Sequence, residues 1–320
     1  MRGIGYEAEE ARILADHVLD AALCGYEYSG LPKLLNVADH PRFKARRSPM
    51  RALRETSVSV LFDGGNQSGM LAMYHATRAV IEQAQTHGFA LVAVTNIWMS
   101  GRSAYYVEMV ARAGLIGIHT VAAHPMVAPP GGAKAALGTN PIAFGFPMDG
   151  DPLVIDLGTS AFMGTDLQFR ERLGIPLPEG VAIDEHGRPT MDAAAARRGA
   201  LLPFGGHKGY ALALAMHALG VLCSATAGTE RVGYLFIAFK PDLFVPLDDY
   251  RRALAAEIAL IKATPRQDGV EEIRIPGERA YRERARRARD GIEVDRRIHD
   301  ALITLAEGKR GAFTGPTEER

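Results

Sequence analysis

The sequence is poor in cysteine and lacks a long apolar run. It contains only 2 cysteines in 320 residues, Cys24 and Cys223, and both lie in apolar stretches without the spacing of metal ligands. This pattern predicts small core residues in a reducing compartment. No apolar run reaches about 18 residues, the length that indicates a membrane span, and no signal peptide opens the chain. We therefore expect a cytoplasmic protein that has no membrane partner.

An excess of either charge is also missing. The 37 basic residues balance the 37 acidic residues, so the formal net charge is +0. Such a balance provides no bulk attraction to nucleic acid or to an anionic membrane. The one local excess of basic residues, Arg279–Arg289, is interpreted as the solvated face of a helix. We expect no nucleic acid among the partners, and the length is that of one large domain or two intertwined ones.

Several common catalytic motifs are absent as well. GxGxxG does not follow any predicted strand, which argues against a Rossmann cofactor site. GxSxG, HExxH and CxxC do not occur, so nucleophilic hydrolysis and zinc chemistry lose most of their support. The sequence predicts no metal site.

One glycine-rich stretch, LLPFGGHKGYALAL beginning at Leu201, has the composition of an anion site. Gly205-Gly206 interrupt regular structure, and the apolar run Tyr210–Leu222 that follows predicts a helix buried on all faces. The unpaired N–H groups and positive dipole end of such a helix attract anions. His207 and Lys208 stand at the same point, which favours a phosphate or carboxylate ligand. A tight turn before a core helix, with two solvated side chains, is the alternative.

Apolar periodicity along the rest of the chain predicts helices alternating with strands, which is typical of an α/β protein. The predicted helices are Tyr6–Cys24, Gly69–Thr86, Tyr105–Ala113, Tyr210–Leu222, Asp248–Lys262 and those within Glu278–Gly308. The predicted strands are Val58–Phe62, Phe89–Val94, Leu115–Val121, Ile142–Phe146, Leu153–Leu157, Val232–Phe239 and Ile273–Ile275. We expect the first strand to break at Asp63, residues 168–198 to be rich in loops, and residues 310–320 to form a frayed tail.

Eight motifs resemble, in their order along the chain, those of the malate/L-lactate dehydrogenase-like oxidoreductases. They are Gly114–Gly117 (GLIG), Val127–Gly132 (VAPPGG), Leu137–Pro141 (LGTNP), Val154–Ser160 (VIDLGTS), Pro178–Gly180 (PEG), Gly187–Thr190 (GRPT), Leu202–Tyr210 (LPFGGHKGY) and Arg274–Glu278 (RIPGE). This family includes sulfolactate and ureidoglycolate dehydrogenases, diketogulonate reductase and reductases of cyclic imino acids. The resemblance covers nearly the whole chain.

The resemblance implies an α/β fold of the non-Rossmann, sulfolactate-dehydrogenase-like type, with a largely antiparallel cofactor-binding sheet flanked by helices. It also implies a homodimer that uses NAD or NADP, with an active site near the subunit interface. Residues 1–57 and 278–320 would form a helical substrate and dimerisation region, and residues 58–277 the NAD(P)-binding region. The positions that match the family's cofactor-binding residues are Asp156, Leu157, Gly158, Thr159, Ser160, His207, Lys208, Gly277 and Glu278.

The chain departs from the family where acid–base chemistry is expected. The family's motif Gly-x-Asp-Ser-His-Gly reads GYEYSG at Gly25–Gly30, so that Ser29 replaces the histidine and Tyr28 the serine, while Lys33 stands in place of an arginine. The second family motif, Ser-Asn-His, becomes Thr95-Asn96-Ile97. Neither serine nor isoleucine supplies the proton that an imidazole exchanges near neutral pH.

Three interpretations of this loss stay open. In the first, hydride transfer to a small 2-oxo acid persists with candidate catalytic residues Tyr28, Ser29, Lys33 and Asp156. Lys33 would lower the pKa of the Tyr28 phenol and bind the substrate carboxylate. Packing is the alternative role for Tyr28, and capping of the following loop is the alternative for Asp156. Arg102 is either a second carboxylate ligand or a surface arginine.

In the second interpretation the substrate is a cyclic 2-imino acid, which arrives protonated and needs less acid catalysis. In the third, the chain binds the cofactor without turnover, as a binding or regulatory protein. His119 and His124 follow Leu115 in the chain, and either is a candidate replacement for the missing imidazole, although a structural role is the simpler interpretation of both.

Overall fold

A mixed sheet of seven strands lies at the centre of the molecule. The computed structural model describes residues 1–224 and 232–309. The strands are β1 (Arg51–Glu55), β2 (Ser59–Ser68), β3 (Phe89–Trp98), β4 (Ile116–Ala122), β5 (Ile142–Phe146), β6 (Leu153–Leu157) and, after the short pair β7 (Ala182–Ile183) and β8 (Ala200–Leu201), β9 (Gly233–Phe239). Their order in the main sheet is β1-β2-β3-β9-β4-β5-β6. Only the β2–β3 pair is parallel, which confirms the largely antiparallel sheet.

Helices cover this sheet. They are α1 (Ala8–Leu23), α2 (Pro32–Asp39), α3 (Gly69–His87), α4 (Ser103–Arg112), α5 (Gly164–Leu173), α6 (Ala193–Arg198), α7 (His207–Ser224), α8 (Leu247–Lys262), α9 (Glu278–Asp290) and α10 (Arg296–Ala306). The largest core cluster lies between the sheet and α3 and α4, where Met73, Val92, Tyr106 and Phe236 are buried. The predicted α/β architecture is confirmed.

Local chemistry explains where several helices begin and end. Glu7 and Glu10 form reciprocal hydrogen bonds in a capping box at the start of α1. Asp192 accepts the first N–H groups of α6. Gly88 ends α3 in the left-handed conformation, with a φ of 81°, which glycine adopts without strain.

The ends of the chain pack against each other. Leu35 and Ala38 of α2 share a buried cluster with Ile298 and Leu305 of α10, and α1 contacts α9. Residues from 1–57 and 278–309 are thus neighbours, although β1 lies within the first range and joins the sheet. The two cysteines, Cys24 and Cys223, are buried and free, as predicted. Among the residues described, no helix is long and apolar enough to cross a membrane.

The sequence predictions differ from the structure at several places in the secondary structure. The first strand does not break at Asp63 but continues to Ser68, because a β-bulge between Asp63 and Gln67 absorbs the glycines. The interval 168–198 is rich in loops, as predicted, but it also contains most of α5 and all of α6, which were not predicted. Only Gly164 and Leu167 of α5 are buried, so this helix has no apolar periodicity to reveal it. The predicted tail, residues 310–320, lies outside the residues described.

The segment Ile273–Ile275, predicted as a strand, does not form one. The N–H of Ile275 instead donates to the Glu278 carboxylate at 3.1 Å, and therefore belongs to the start of α9. β1, in turn, was not predicted, because all of its residues are exposed and no alternation of burial marks it.

The predicted burial of the helix after the glycine loop was also wrong for the single chain. α7 packs on the sheet so closely that a Cβ at Gly220 would lie 2.0 Å from the Cβ of Ala122. Its opposite face is apolar but uncovered: Leu214 is 50% exposed and Leu222 is 71% exposed. A helix that is apolar all round is typical of a buried element, so the exposed face of α7 is an apolar surface that none of residues 1–224 and 232–309 covers.

Candidate active site

A cavity of about 400 Å³ lies beside β6, an edge strand of the sheet. The segment before α2, the loop between β3 and α4, the end of β6 and the start of α5 all contribute to its walls. It brings together five of the residues singled out in the sequence. They are Tyr28, Ser29, Lys33, Arg102 and Asp156.

Lys33 is a buried cation in the wall of this cavity. It is the second residue of α2 and is only 3% exposed. Its backbone N–H donates to Gly30, but its ammonium has no hydrogen bond or ion pair among the described residues. Burial lowers the pKa of Lys33 to about 8. Because a buried charge is costly without a counter-charge, the site is suited to an anionic ligand that enters the cavity.

Asp156, the fourth residue of β6, faces the same cavity. One carboxylate oxygen accepts the N–H of Ala104 at 2.7 Å and thereby caps the N-terminus of α4 rather than the loop that follows Asp156. Asp156 is accessible from the open cavity, but the protein atoms around its carboxylate desolvate it and raise its pKa, while the Ala104 hydrogen bond and Arg102 oppose that change. A carboxyl group with a raised pKa holds a proton closer to neutral pH, as a general acid requires.

The environment of Tyr28 differs from the one predicted. Burial raises the pKa of Tyr28 to about 12, and the nearby carboxylates of Asp166 and Asp156 add to this rise. The cation that opposes it is Arg279, not Lys33. The expectation that Lys33 lowers the Tyr28 pKa was therefore wrong, because desolvation outweighs any cationic field. Tyr28 remains a protonated hydrogen-bond donor, and Ser29 lies buried next to it in the cavity wall.

Arg102 borders the cavity but is already paired. Its guanidinium forms an ion pair with Asp20 of α1, and both side chains are largely buried. Arg284 of α9 pairs with the same carboxylate at 2.7 Å. The backbone N–H of Arg102 donates to His17 Nε2 at 2.9 Å. Arg102 is thus neither a surface arginine nor a free carboxylate ligand; it joins α1, α4 and α9.

The two histidines considered as replacements for the missing imidazole, His119 and His124, lie in different environments. His119 is fully buried, stacks on Phe236 and bonds the Leu235 carbonyl through Nδ1 at 3.1 Å, so its role is structural. His124 is exposed at the cavity rim. Ile97, in the second family motif, is buried in the core, whereas Met99 faces the cavity.

His40 is a cavity histidine that the sequence analysis missed. It follows the last residue of α2 and lines the cavity together with Lys33, Met99 and Gln168. Its ring stacks on Trp98, with 4.3 Å between ring centroids and an angle of 10°. The dipeptide His40-Pro41 directly after α2, with proline at the first position of the next short helix, was the local signal available in the sequence.

A second cleft of about 340 Å³ adjoins the cavity on the other side of Asp156. Tyr26, Arg102 and Asp156 line both spaces. β6 forms one wall of this cleft, and Gly277 approaches it so closely that a Cβ there would lie 2.9 Å from the Val154 carbonyl. The predicted cofactor segments at β6 and Gly277 are therefore neighbours.

The loop after β6 is close to the glycine loop before α7. The N–H of Phe204 donates to the Thr159 carbonyl at 3.2 Å. The hydroxyls of Thr159 and Ser160 already donate to the carbonyls of Thr139 and Phe162, so they can only accept hydrogen bonds from a ligand. Gly158 and Leu157 border the two open spaces.

The remaining predicted cofactor residues are less enclosed. His207 and Lys208 are the first two residues of α7, and both are exposed. They line neither the cavity nor the cleft, so the alternative of two solvated side chains fits them equally well. The Glu278 carboxylate pairs with Lys262 and accepts the Ile275 N–H, which gives it a structural role at the start of α9. Within residues 1–224 and 232–309, no cluster of His, Cys, Asp and Glu side chains is suited to a metal ion.

Comparison with known proteins indicates that this chain is an enzyme. A family model described as malate/L-lactate dehydrogenase matches residues 1–303. The chain is 33% identical to L-sulfolactate dehydrogenase of Methanothermobacter thermautotrophicus, covering 93% of this chain and 90% of that protein. It is 40% identical to the Δ¹-pyrroline-2-carboxylate/Δ¹-piperideine-2-carboxylate reductase of Pseudomonas aeruginosa over 71% of each chain.

Solved structures agree with the sequence comparisons. The sulfolactate dehydrogenase of Methanocaldococcus jannaschii superimposes with a TM-score of 0.81 at 31% identity, covering 97% of this chain and 94% of that one. The sulfolactate-dehydrogenase-like fold predicted from the motifs is therefore confirmed. The named enzymes among these relatives favour catalysis over a cofactor-binding protein without turnover.

Proposed function

The chain belongs to the malate/L-lactate dehydrogenase family, and we propose that it transfers hydride between NAD or NADP and a small 2-oxo acid or cyclic 2-imino acid. The observation that carries this proposal is that one cavity contains both a cation suited to a carboxylate and a carboxyl group suited to proton transfer. Lys33 presents a buried ammonium that has no partner among the residues described, and the Asp156 carboxyl group lines the same cavity. Reduction of a small 2-oxo acid requires one protein group that binds the substrate carboxylate and another that supplies the proton taken up by the substrate oxygen.

Lys33 would bind the substrate carboxylate, because an anion in the cavity supplies the counter-charge that is missing from the described part of the chain. Asp156 would hold the proton that the substrate oxygen takes up when the carbonyl becomes a hydroxyl group, and would accept it again in the reverse oxidation. A bound nicotinamide supplies or receives the hydride. Tyr28 would donate a hydrogen bond to the same oxygen, and Ser29 would line the site.

A cyclic imino acid fits the same cavity with a smaller demand on Asp156. A protonated imine needs no further proton during hydride addition, so loss of the two family histidines matters less for such a substrate. One relative is named as a reductase of two cyclic imino acids, Δ¹-pyrroline-2-carboxylate and Δ¹-piperideine-2-carboxylate, which supports this substrate class as the second option. The two substrate classes are separated by experiment below.

We place the cofactor along β6 and in the cleft that ends at Gly277, with Asp156 between cofactor and substrate. Leu157, Gly158, Thr159 and Ser160 would contact it through the backbone. The N-terminus of α7, with His207 and Lys208, would attract its phosphates. Residues 1–57 would then provide the substrate side of the site, and residues 58–277 the cofactor side. The two free cysteines suit a reducing, cytoplasmic location.

The uncovered face of α7 supports a homodimer. This surface is apolar and contains Leu212, Leu214, Val221 and Leu222. A second copy of the chain would bury it, which places the dimer contact on α7 rather than on the terminal helices. We expect Leu214→Glu to convert a dimer to a monomer in sedimentation analysis, whereas Met191→Glu, at another exposed apolar residue, leaves the dimer intact. A monomeric wild-type protein would contradict this assignment.

A turnover screen tests the proposed function. Oxidation of NADH and NADPH is followed with pyruvate, oxaloacetate, sulfopyruvate and cyclic 2-imino acids, the last with and without added amine. We expect turnover with at least one of them, and a preference for imines would select the second substrate class. Cofactor binding without turnover on any of these acids would contradict the proposal.

A further inference from the structure

We propose that His40 determines specificity by donating a hydrogen bond from Nε2 to an oxygen at the end of the substrate remote from its carboxylate. The inference rests on the proposed function, because it takes Lys33 as the carboxylate ligand. It predicts that the enzyme prefers 2-hydroxy and 2-oxo acids whose side chain ends in an oxygen-bearing group over those whose side chain ends in a methyl group.

Two contacts hold the His40 ring. One face stacks on Trp98, which is itself buried. Nδ1 accepts the N–H of Arg42 at 3.2 Å, so this nitrogen carries no proton and the proton of the neutral ring resides on Nε2. Nε2 has no hydrogen-bond partner among the described residues. The protein thus presents a fixed, neutral N–H group at the cavity wall.

The position of His40 fits the remote end of a small substrate. Lys33 lies at the start of α2 and His40 is the extended residue directly after its end, about 10 Å away along the helix axis, and both residues line the cavity. The long lysine side chain spans part of this distance. A substrate with its carboxylate at Lys33 and its reacting carbon beside Asp156 therefore directs its third substituent toward His40.

The surroundings of His40 indicate a polar substituent. His40, Met99 and Gln168 also line a polar cavity of about 440 Å³ that is separate from the cleft beside β6. Asn36, between Lys33 and His40 on α2, donates to Gln168 at 3.3 Å. The arginines of this polar cavity form ion pairs, Arg172 with Asp39 at 3.2 Å and Arg197 with Glu171 at 2.6 Å. His40 thus adds a neutral donor to a wall whose charges are balanced.

The same geometry argues against acid–base catalysis by His40. Protonation of Nδ1 would place its proton against the N–H of Arg42, and Nε2 already carries a proton, so the ring cannot take up a substrate proton without losing the Arg42 contact. A hydrogen bond from a neutral donor stabilises substrate and transition state alike. Its loss therefore raises KM and leaves kcat unchanged.

Two ligands of equal chain length test the proposal. L-malate ends in a carboxylate, whereas (S)-2-hydroxybutyrate ends in a methyl group. Their dissociation constants are measured by calorimetry, with and without oxidised cofactor, for the full-length wild type, His40→Leu and His40→Gln. We expect His40→Leu to weaken malate binding about tenfold or more and to leave 2-hydroxybutyrate binding unchanged. His40→Gln, which keeps an N–H donor, should restore most of the malate affinity, and His299→Leu, on the exposed face of α10, should match the wild type.

Each other result has a defined meaning. Equal loss for both ligands, or no loss for malate, overturns the proposal. A fall in kcat for both acids with unchanged KM also overturns it and assigns His40 to proton transfer. If the wild type binds malate with the predicted dependence on His40 but turns over no substrate, the proposed function fails and the His40 site stands.

Spectra of the ring nitrogens provide a readout without variants, should His40→Leu fail to fold. In protein labelled with ¹⁵N-histidine, we expect the neutral form of His40 protonated on Nε2. Addition of L-malate should shift this nitrogen, and (S)-2-hydroxybutyrate should not. A proton on Nδ1, or identical shifts with both ligands, would overturn the proposal.

Discussion

Lys33 and Lys208 occupy matching positions in the chain but different environments in the fold. Each is the second residue of a helix that follows glycine, α2 after Gly30 and α7 after Gly205 and Gly206. Lys33 is 3% exposed in the wall of the cavity, whereas Lys208 is exposed to solvent. Sequence reasoning assigned both to anionic groups, of the substrate and of the cofactor respectively.

This difference teaches that burial, rather than local sequence, sets how much a charge contributes. A charge surrounded by protein interacts strongly with its ligand and shifts its own pKa, because water screens neither effect. An exposed lysine is screened by solvent and salt, and contributes little. We therefore expect the effects of substitution to decrease from the cavity toward the start of α7.

The largest effect is expected for Lys33→Met. This substitution removes the only buried cation proposed to bind the substrate carboxylate, and we expect kcat/KM to fall by roughly a thousandfold, or about 4 kcal/mol. Steady-state kinetics with the best substrate of the turnover screen measure it. Lys33→Arg, which keeps the charge, should retain more activity than Lys33→Met. Equal activity of Lys33→Met and wild type would place the carboxylate elsewhere.

A smaller effect is expected on folding. Burial lowers the pKa of Lys33 to about 8 from its ordinary 10.5, so between these pH values the unfolded chain binds more protons at this residue than the folded one. The free energy of unfolding should therefore rise with pH across this window, by as much as about 3 kcal/mol, relative to Lys33→Met. Chemical denaturation of both proteins at pH 7.5 and pH 10, without substrate, measures the difference. Parallel behaviour would show that the lysine is already paired in the free protein.

Tyr28→Phe tests whether the Tyr28 hydroxyl donates a hydrogen bond to the substrate. Burial raises the pKa of Tyr28 to about 12, so the phenol donates a hydrogen bond at every pH used for assay. We expect kcat to fall by about tenfold, within reach of one hydrogen bond to a charged or developing oxygen. Tyr250→Phe, on α8 and outside the cavity, serves as the control. Full activity of Tyr28→Phe would reduce Tyr28 to a packing role and leave Asp156 as the sole proton-bearing group.

The smallest effect is expected at the start of α7. Lys208→Ala should weaken cofactor binding severalfold in calorimetry, by about 1 kcal/mol, and the loss should diminish as salt is added because the side chain is exposed. Lys309→Ala, at another exposed lysine, should not change the affinity. An unchanged cofactor affinity in Lys208→Ala would remove this residue from the site, and a loss as large as that of Lys33→Met for its substrate would break the comparison.

The sequence predicted most of the secondary structure because apolar periodicity is a local property. The helix predicted over Gly69–Thr86, which ends one residue later in the structure, and the strands Ile142–Phe146 and Leu153–Leu157 were evident from their own residues. The polar helix α5 and the exposed strand β1 were not, because neither has a buried face to mark it. The motifs also indicated the family, and with it the edge strand that carries Asp156.

The environments of the site residues were harder to predict. Arg102 was expected to bind substrate, but Asp20 from α1 and Arg284 from α9 form its surroundings. Tyr28 was expected to have a lowered pKa, but desolvation raises it. His40 was overlooked because its distant partner, Trp98, is brought to it only when the end of α2 packs on β3.

The amino-acid sequence by itself determined the order of helices and strands, the glycine positions that permit close approach, and the absence of the family's two histidines. Only the tertiary structure decided which charges are paired, which histidine faces the cavity, and which face of α7 is left uncovered. The physical reason is the distance along the chain over which each effect acts. Periodicity and turn chemistry act between residues a few positions apart, whereas burial and ion pairing depend on segments that folding brings together from distant parts of the chain.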